Sequence, residues 1–220
     1  MVKRLAEGGM VVPELTARPR QGYARGAQGV EQILRKSEQL LIDEGPGALT
    51  LRRIAAECAM TQGNLSYYFK SKNDLLMALV EAIAQSYRTA ARRFELEAGL
   101  DPLQKLRELV LAYMDNLVSK RTTRIFTELW ALASLDDAAR LALRGIYDEA
   151  IAQFERATGE ANPALGATDR RLIALEAIAI LEGHTVIIGH GMTYTECRDE
   201  LIAQVCRTIE QLVLRAEPTT

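Results

Sequence analysis

The sequence contains few of the residues from which disulfide frameworks, metal sites and nucleophilic active sites are built. Its 220 residues include three cysteines and two histidines. The cysteines are odd in number, lack a Cys-x-x-Cys pair and follow no secretion signal, a usage typical of the reducing cytoplasm. A Gly-rich phosphate loop and a Gly-x-Ser-x-Gly elbow are both absent. We therefore expect a cytoplasmic protein that is not an enzyme and needs no cofactor.

Long apolar runs and strand-like alternation are also missing. No stretch reaches the roughly eighteen apolar residues that a membrane span requires, and no segment alternates apolar and polar residues as a half-buried strand does. The composition, 48% hydrophobic and 25% charged, is ordinary for a protein with a packed core. The sequence predicts an all-α protein without a membrane-spanning segment.

The residues that come nearest to a metal site are His184, His190 and Cys197. They are six and seven residues apart, whereas the two histidines of a helical zinc site are four apart. Cys58 lies on an apolar helix face and is expected to be a core residue. We expect no metal site, and a metal-sensing protein that uses these three residues is the alternative.

The stretch from Thr50 to Leu76 predicts two short helices, a tight turn and the start of a longer helix. Thr50 and Thr61 are each placed to cap a helix through the side-chain hydroxyl. Ser71, with Asp74 three residues later, forms a capping-box pattern for the third helix. Apolar residues of the first helix recur at the spacing that lines one helix face. They are Leu51, Ile54, Ala55 and Cys58.

The second helix has Leu65 and Phe69 on its inward face and mostly short polar residues on its outward face. The outward residues are Gln62, Gly63, Asn64, Ser66 and Tyr67. Amide and hydroxyl groups of this kind pair with base edges in the major groove of DNA, and Lys70 and Lys72 are placed to meet phosphates. The pattern favours a helix-turn-helix that reads DNA. A small three-helix packing unit without a ligand is the alternative.

The segment from about Val30 to Val80 resembles the N-terminal DNA-binding domain of the TetR family of transcriptional regulators. The matching words are Leu51-x-x-Ile54-Ala55, then Thr61-Gln62-Gly63-Asn64-Leu65-x-Tyr67-Tyr68-Phe69-Lys70-Ser71-Lys72, and Leu75-Leu76. The resemblance covers under a quarter of the chain. It implies that bases are read from Gln62, Gly63, Asn64 and Ser66. It also implies that phosphates are held by Thr50, Thr61, Tyr67, Tyr68 and Lys72.

Two of these positions need comment. Many members of the family carry Tyr where this chain has Ser66, so the usual aromatic contact is missing and the preferred operator sequence is left open. Tyr68 lies three residues from Leu65 on the same helix. Its ring is therefore expected either to pack in the core or to place its hydroxyl on a phosphate.

We divide the chain into a disordered basic arm at 1–26, a helix-turn-helix domain at 27–74 and a helical effector-binding and dimerisation domain at 75–220. Through Asp74 the chain carries 11 Lys+Arg and 8 Asp+Glu, a net charge of +3, whereas the remainder carries 16 and 21, a net charge of −5. The positive part therefore coincides with the predicted DNA reader. The arm arginines are expected either to follow an adjacent minor groove or to belong to a solvated tail. They are Arg18, Arg20 and Arg25.

The rest of the chain predicts further helices. One precedes the motif, from about Ala27 to Glu44, and the helix that starts at Ser71 is expected to be broken at Gly99. Asp101-Pro102 and Asp136 are suited to open two more, and 159–168 is expected to be a loop because it contains Asn162-Pro163 and Gly166. Two apolar helices are predicted to end the chain. Their expected bounds are Asp169 to Ile188 and Thr195 to Arg215.

The resemblance implies that the last two helices pair with those of a second copy in a four-helix bundle, and that the middle helices, about 101–165, enclose an effector pocket. We expect aromatic and soft residues to line this pocket, although residues of this kind are more often plain core than ligand wall. The candidates are Tyr113, Met114, Phe126, Trp130, Tyr147, Phe154 and His184. The run from Phe126 through Tyr147 is similar to the subgroup that contains the choline-responsive repressors. That similarity names no effector.

The expected function is ligand-responsive regulation of transcription. The expected partners are a double-stranded DNA operator, a second copy of the chain and an unidentified small-molecule effector, with no membrane. A palindromic operator is expected because a two-fold dimer doubles the few contacts of one reading helix. The effector is expected to tilt the helix that starts at Ser71 and so release a repressor from DNA. A helical dimer without a DNA role is the alternative.

Overall fold

A computed structural model describes residues 24–95 and 100–215, and within them it shows nine α-helices and no strand. The helices are α1 Ala24–Glu44, α2 Leu51–Glu57, α3 Gln62–Tyr68, α4 Lys72–Glu95, α5 Pro102–Leu117, α6 Lys120–Ala133, α7 Asp137–Ala161, α8 Ala167–Ile188 and α9 Arg198–Arg215. Short 3-10 helices lie at Pro46–Ala48 and Thr195–Cys197. The all-α prediction is confirmed. None of the described helices combines the length and apolarity that a membrane crossing needs.

Several predicted boundaries shift in the structure. Helix α1 begins at Ala24, so the last three residues assigned to the arm are helical, Arg25 among them. Residues 159–161 belong to α7 instead of a loop, and Gly159 packs so closely on Arg170 that an added Cβ would lie 2.8 Å from Nη1. The final helix begins at Arg198, after one turn of 3-10 helix. The remainder of the arm, with Arg18 and Arg20, and Gly99 lie outside the described residues.

The described residues form two compact units. The N-terminal unit comprises residues 24–87 and 124–146, and the C-terminal unit comprises the described residues of 88–123 and 147–215. The N-terminal unit therefore extends beyond the predicted 27–74 domain. The first part of α4 and most of α6 belong to it, and the Tyr87 and Phe126 rings of these two helices pack edge to face with centroids 5.2 Å apart.

The core of the N-terminal unit is built from the apolar faces that the sequence predicts. Its fully buried side chains include Ile33 of α1, Ile54 of α2, Leu65 of α3 and Leu75 of α4. Burial of each side chain of this size contributes about 1.5–3 kcal/mol relative to exposure. Each of the first four helices thus anchors one residue in a shared core, which fixes the position of the short α3.

The core of the C-terminal unit is a cluster of α5, α8 and α9 residues with the second part of α7. It encloses polar side chains that bond to one another. The Tyr113 hydroxyl donates to Gln153 Oε1 at 2.7 Å, and Gln153 Nε2 donates to the Ala91 carbonyl oxygen. Buried polar groups of this kind require partners, since each one left unpaired costs about 1–3 kcal/mol.

Candidate nucleic-acid interface

Helices α2 and α3 are each capped by the predicted threonine. Thr50 Oγ1 accepts from the Arg53 backbone N–H at 3.2 Å, and Thr61 Oγ1 accepts from the Asn64 N–H at 3.2 Å. Between the helices, Ala59 has a positive φ of 53° and the Met60 N–H donates to the Ala55 carbonyl oxygen at 3.0 Å. A left-handed residue other than glycine costs roughly 1–2 kcal/mol. The conformation closes the tight turn that sets the direction of α3.

Helix α3 presents a polar face to solvent. Gln62, Gly63 and Asn64 are exposed, and Tyr67 keeps 83% of its surface accessible. Ser66 is half-buried, and its hydroxyl donates to the Gln62 carbonyl oxygen at 2.9 Å. Its oxygen retains a lone pair as an acceptor. The three exposed residues carry two amide groups between them and no charge, a composition that suits the reading of base edges in a groove.

Tyr68 packs against helix α1. A Cβ atom added to Gly29 would lie 2.7 Å from the Tyr68 hydroxyl oxygen and 2.8 Å from the adjacent ring carbon. The ring is half-buried and meets Tyr67 edge to face at 5.4 Å. Tyr68 is therefore neither fully packed in the core nor fully exposed. Its ring rests on α1, and whether its hydroxyl contacts a phosphate remains a prediction. Sequence reasoning missed Gly29, whose lack of a side chain makes this contact possible.

Exposed positive charges precede and follow α3 along the chain. Arg52, Lys70 and Lys72 are exposed, and none of them forms an ion pair with another described residue. Arg53 differs, because its guanidinium pairs with Glu44 at 2.9 Å and with Glu57 at 3.0 Å. The unpaired cations are the ones that can neutralise phosphates and release counterions.

The start of α4 is fixed by a reciprocal cap. The Ser71 N–H donates to Asp74 Oδ2 at 3.0 Å, and the Asp74 N–H donates to Ser71 Oγ at 3.1 Å. This capping box confirms the pattern seen in the sequence, with Asp in the place of the usual Glu or Gln. It places Lys72 in the first turn of a long helix, next to α3.

The candidate effector residues are divided between the two units. Tyr113, Met114 and Phe154 are buried in the C-terminal unit, and Tyr147 and His184 are half-buried there. The remaining two, Phe126 and Trp130, belong to the N-terminal unit, where their ring centroids lie 6.0 Å apart. The structure therefore does not gather the seven residues in one unit.

The polar contacts of Tyr113 and His184 are well defined. The rings of Tyr113 and Phe154 meet edge to face at 5.2 Å, with the Tyr113 hydroxyl bonded to Gln153. His184 Nδ1 lies 2.6 Å from the Ile180 carbonyl oxygen of its own helix. Because a carbonyl oxygen only accepts, Nδ1 must carry the proton, and Nε2 remains for another partner.

The three residues considered for metal binding are not brought together. Within residues 24–95 and 100–215, no group of three or more His, Cys, Asp or Glu side chains is placed to hold a metal ion. His184 is bonded to its own helix, whereas the His190 N–H donates to Thr123 Oγ1 at 3.0 Å. Cys197 is exposed, and the predicted core residue Cys58 is buried.

Glu182 is a further polar group that sequence reasoning missed. It lies on α8, where its Oε2 atom is buried and has no hydrogen-bond partner among the described residues. Burial raises the pKa of this carboxyl from 4.5 to about 7, although a hydrogen bond from Tyr147 opposes the shift. Because α8 is apolar around much of its circumference, the sequence does not show which side of the helix Glu182 occupies. The position of this carboxyl became apparent only from the packing of α8.

Glu182→Gln is expected to stabilise the protein at pH 8 and to have little effect at pH 4. Below pH 4.5 the carboxyl is neutral in both states. Between pH 4.5 and about 7 the unfolded chain releases a proton that the folded chain keeps, so the free energy of unfolding falls as pH rises. At pH 8 this loss is at most about 3 kcal/mol. Urea unfolding of the wild type and the variant at pH 4 and pH 8 measures this loss. If the two proteins differed in free energy of unfolding by the same amount at both pH values, Glu182 would not titrate as described.

Comparison with known proteins points to one family. The family model described as "Bacterial regulatory proteins, tetR family" matches residues 33–79. An uncharacterized HTH-type transcriptional regulator in dhlA 5'region of Xanthobacter autotrophicus is 30% identical over 172 residues, 76% of this chain and 83% of that protein. The HTH-type transcriptional regulator BetI of Stenotrophomonas maltophilia (strain R551-3) is 27% identical over 154 residues, 70% of this chain and 77% of that protein.

A solved structure shares the fold over most of the chain. It comes from Saccharomonospora viridis and was determined in complex with choline. Its TM-score is 0.69 at 18% sequence identity, and the match covers 83% of this chain and 96% of that one. At this identity the likeness shows the fold alone.

Proposed function

The chain belongs to the TetR family of bacterial regulatory proteins, and on that premise we propose that it is a ligand-responsive repressor that binds a palindromic operator as a homodimer. The observation that carries the proposal is the exposed amide-bearing face of α3, flanked by Arg52, Lys70 and Lys72 without ion-pair partners among the described residues. Such a face combines base readout with phosphate neutralisation.

In this proposal Gln62 and Asn64 read base edges, because each side-chain amide can both donate and accept, as adenine recognition requires. Gly63 lets the helix backbone approach the groove, and an added Cβ there would meet nothing closer than Thr61 Oγ1 at 4.0 Å. Ser66 contributes an acceptor. The phosphate contacts are assigned to the residues around this face. They are Thr50, Thr61, Tyr67, Tyr68 and Lys72.

A homodimer through α8 and α9 is supported by the apolar surface that α8 leaves exposed. Leu172, Leu175, Val186 and Ile187 are exposed on this helix, and Leu214 is exposed on α9. Single exposed apolar side chains are ordinary, whereas several of them along one helix are typical of an interaction surface. A two-fold interface would cover them and place two α3 helices on successive half-sites, about 34–36 Å apart.

Release by an effector is proposed to act through α4. This helix has its first residues in the N-terminal unit, beside the capping box, and its residues from Arg88 in the C-terminal unit. An effector that favours one tilt of α4 would change the separation of the two reading helices. Coupling of about 1–3 kcal/mol, which changes operator affinity about 5–150-fold, is the usual scale for such linkage.

For the effector we propose a cation that contacts Glu182 and Tyr147. Glu182 Oε2 is buried without a hydrogen-bond partner among the described residues, so a bound cation would favour the ionised carboxyl, and the neighbouring tyrosine offers an aromatic ring. Quaternary ammonium groups are recognised by this pairing of charge and ring. The related structure from Saccharomonospora viridis, which contains choline, agrees with this class of effector.

Selection of bound duplexes from a random DNA pool tests the operator proposal. The wild-type protein is expected to enrich one palindrome with half-site centres about one helical turn, or a multiple of it, apart. A pool that remains random after repeated selection would contradict the proposal and favour a helical dimer without a DNA role.

A further inference from the structure

The N-terminal unit contains a cleft of about 270 Å³ between α4 and α6. Apolar side chains form almost all of its walls, among them Leu76 and Leu79 of α4, Leu129 and Leu132 of α6, and Pro46 of the preceding 3-10 turn. None of the seven candidate effector residues lines it, and neither does Glu182. The cleft is therefore separate from the effector site proposed above.

The lining residues of the cleft differ in exposure from one part of it to the other. Beside Ile83 and Ile125, the Tyr87 and Phe126 rings of the same two helices are in contact. At the inner end, Ile83 and Ile125 are fully buried. At the outer end Lys72 is exposed and Leu135 keeps 87% of its surface accessible. The cleft thus has a closed apolar end and an open end.

The volume and length of the cleft define the size of its occupant. A dry cavity of about 150 Å³ holds benzene, so by simple proportion this cleft holds about eleven non-hydrogen atoms. From Lys72 to Ile83 the helix rises roughly 16 Å at about 1.5 Å per residue. An elongated hydrocarbon body of about ten carbon atoms satisfies both limits.

Two charged side chains line the cleft, Lys72 at the open end and Glu128 one helical turn from Ile125. Neither forms an ion pair within the described part of the chain. Lys72 is exposed and lies in the first turn of α4, where the helix dipole adds positive potential. Glu128 is half-buried. An amphiphile leaves its charged head toward water and buries its hydrocarbon, so the head belongs at Lys72.

We propose that this cleft binds an amphiphilic anion, a monocarboxylate with a slender hydrocarbon body of about ten carbons, whose head pairs with Lys72. The carboxylate meets the exposed ammonium group, and the hydrocarbon covers the apolar walls of α4 and α6. A cationic amphiphile fits less well, because pairing with Glu128 would leave its hydrocarbon at the open end, beside Lys72.

A regulatory consequence follows, and it rests on the proposed operator function. Lys72 is also assigned to an operator phosphate, and one ammonium group cannot hold the ligand carboxylate and the phosphate equally well. The occupant and the operator therefore weaken each other's binding, as linkage requires. This second input is independent of any effector in the C-terminal unit.

Calorimetric titration of the full chain without DNA tests the site. The probes are decanoate, decan-1-ol and decylammonium, each below the concentration at which it forms micelles. Decanoate is expected to bind most tightly and decylammonium most weakly. Lys72→Gln is expected to weaken the binding of decanoate about two- to fivefold, the scale of an exposed ion pair. The same variant should bind decan-1-ol as tightly as the wild type does. Lys70→Gln is the matched control, because it removes an equal charge that does not line the cleft. It should change the affinity for neither decanoate nor decan-1-ol.

Two further variants locate the hydrocarbon. Leu132→Trp fills the cleft from a half-buried position and is expected to weaken decanoate and decan-1-ol at least tenfold. Glu128→Gln removes the only negative charge of the lining and is expected to tighten decanoate. Failure of decanoate to bind, or equal binding by Leu132→Trp, would overturn the site. If decylammonium bound more tightly than decanoate, and Glu128→Gln abolished that preference, the choice of an anion would be overturned.

Adding operator DNA separates the site from its regulatory role. Decanoate is expected to weaken operator binding by the wild type and to have no effect on Leu132→Trp. If decanoate binds and operator affinity does not change, the ligand site is upheld and the competition is overturned. If no operator exists, the titrations without DNA still decide the ligand site.

Discussion

Replacing Leu175 and Val186 by lysine is expected to leave a folded monomer that binds the operator at least about 100-fold more weakly. The two side chains are 41% and 57% exposed on α8, so lysine in these positions is hydrated in the monomer and costs it little. In a two-fold interface each lysine would be buried opposite apolar surface without a partner. A monomer engages only one half-site and loses the gain of two linked binding events, which is usually 10²–10⁴-fold.

The shape of α8 supports this choice of residues. Exposed positions recur along one side of the helix at Leu172, Leu175, Ala179, Gly183 and Val186. They span roughly 21 Å at about 1.5 Å per residue. Nothing lies within 4 Å of the position that a Cβ on Gly183 would take. A helix of a second copy can therefore approach closely at the centre of this face.

Leu141→Lys is the matched control, because Leu141 is 68% exposed but lies on α7 in the N-terminal unit. It is expected to remain a dimer with unchanged operator affinity. Light scattering after size-exclusion chromatography gives the oligomeric state, and fluorescence anisotropy gives the affinity. A double-lysine variant that stays dimeric would place the interface elsewhere.

Gly189→Ala is expected to lower the free energy of unfolding by about 1–3 kcal/mol, the usual cost of overpacking. A Cβ added to Gly189 would lie 2.2 Å from the Thr185 carbonyl oxygen and 2.8 Å from Thr123 Oγ1. The backbone has φ −57° at this residue, so the cost is one of space and not of conformation. Because Thr123 Oγ1 also accepts from the His190 N–H, the added methyl group disturbs the hydrogen bond that follows the end of α8.

The loosened end of α8 carries Val186 and Ile187, so the variant is also expected to dimerise more weakly. Urea unfolding compared with the wild type measures the change in stability. Gly47→Ala is the control, since nothing lies within 4 Å of its added Cβ and it has no positive φ. If Gly189→Ala were as stable as the control, the prediction would be wrong, because the end of α8 would then accommodate a methyl group without a loss of stability.

Local helix signals could be predicted from the sequence because they depend on neighbouring residues. The capping side chains are placed as expected: Asp101 Oδ1 accepts from Leu103 N at 3.1 Å, and Asp136 Oδ1 accepts from Ala139 N at 2.9 Å. The apolar period predicted α2, and α3 kept its predicted polar face. Which of those polar residues contact DNA remains a prediction.

Features that depend on distant packing could not be predicted in the same way. Ala59 takes a left-handed conformation that sequence patterns assign to Gly or Asn. The contact between Gly29 and Tyr68 joins residues of two helices, and the burial of Glu182 depends on how α8 packs. The cleft arises because α6 joins the N-terminal unit, whereas the sequence suggested a boundary at residue 74.

The central claim is that the exposed face of α3 reads operator bases. The most direct measurement is selection of bound duplexes from a random pool with the wild type and with the Gln62→Ala, Asn64→Ala double variant. The wild type is expected to enrich a palindrome. The variant is expected to lose that preference while it keeps salt-dependent binding to any sequence, because its phosphate contacts are intact. Enrichment of the same palindrome by both proteins would contradict the claim.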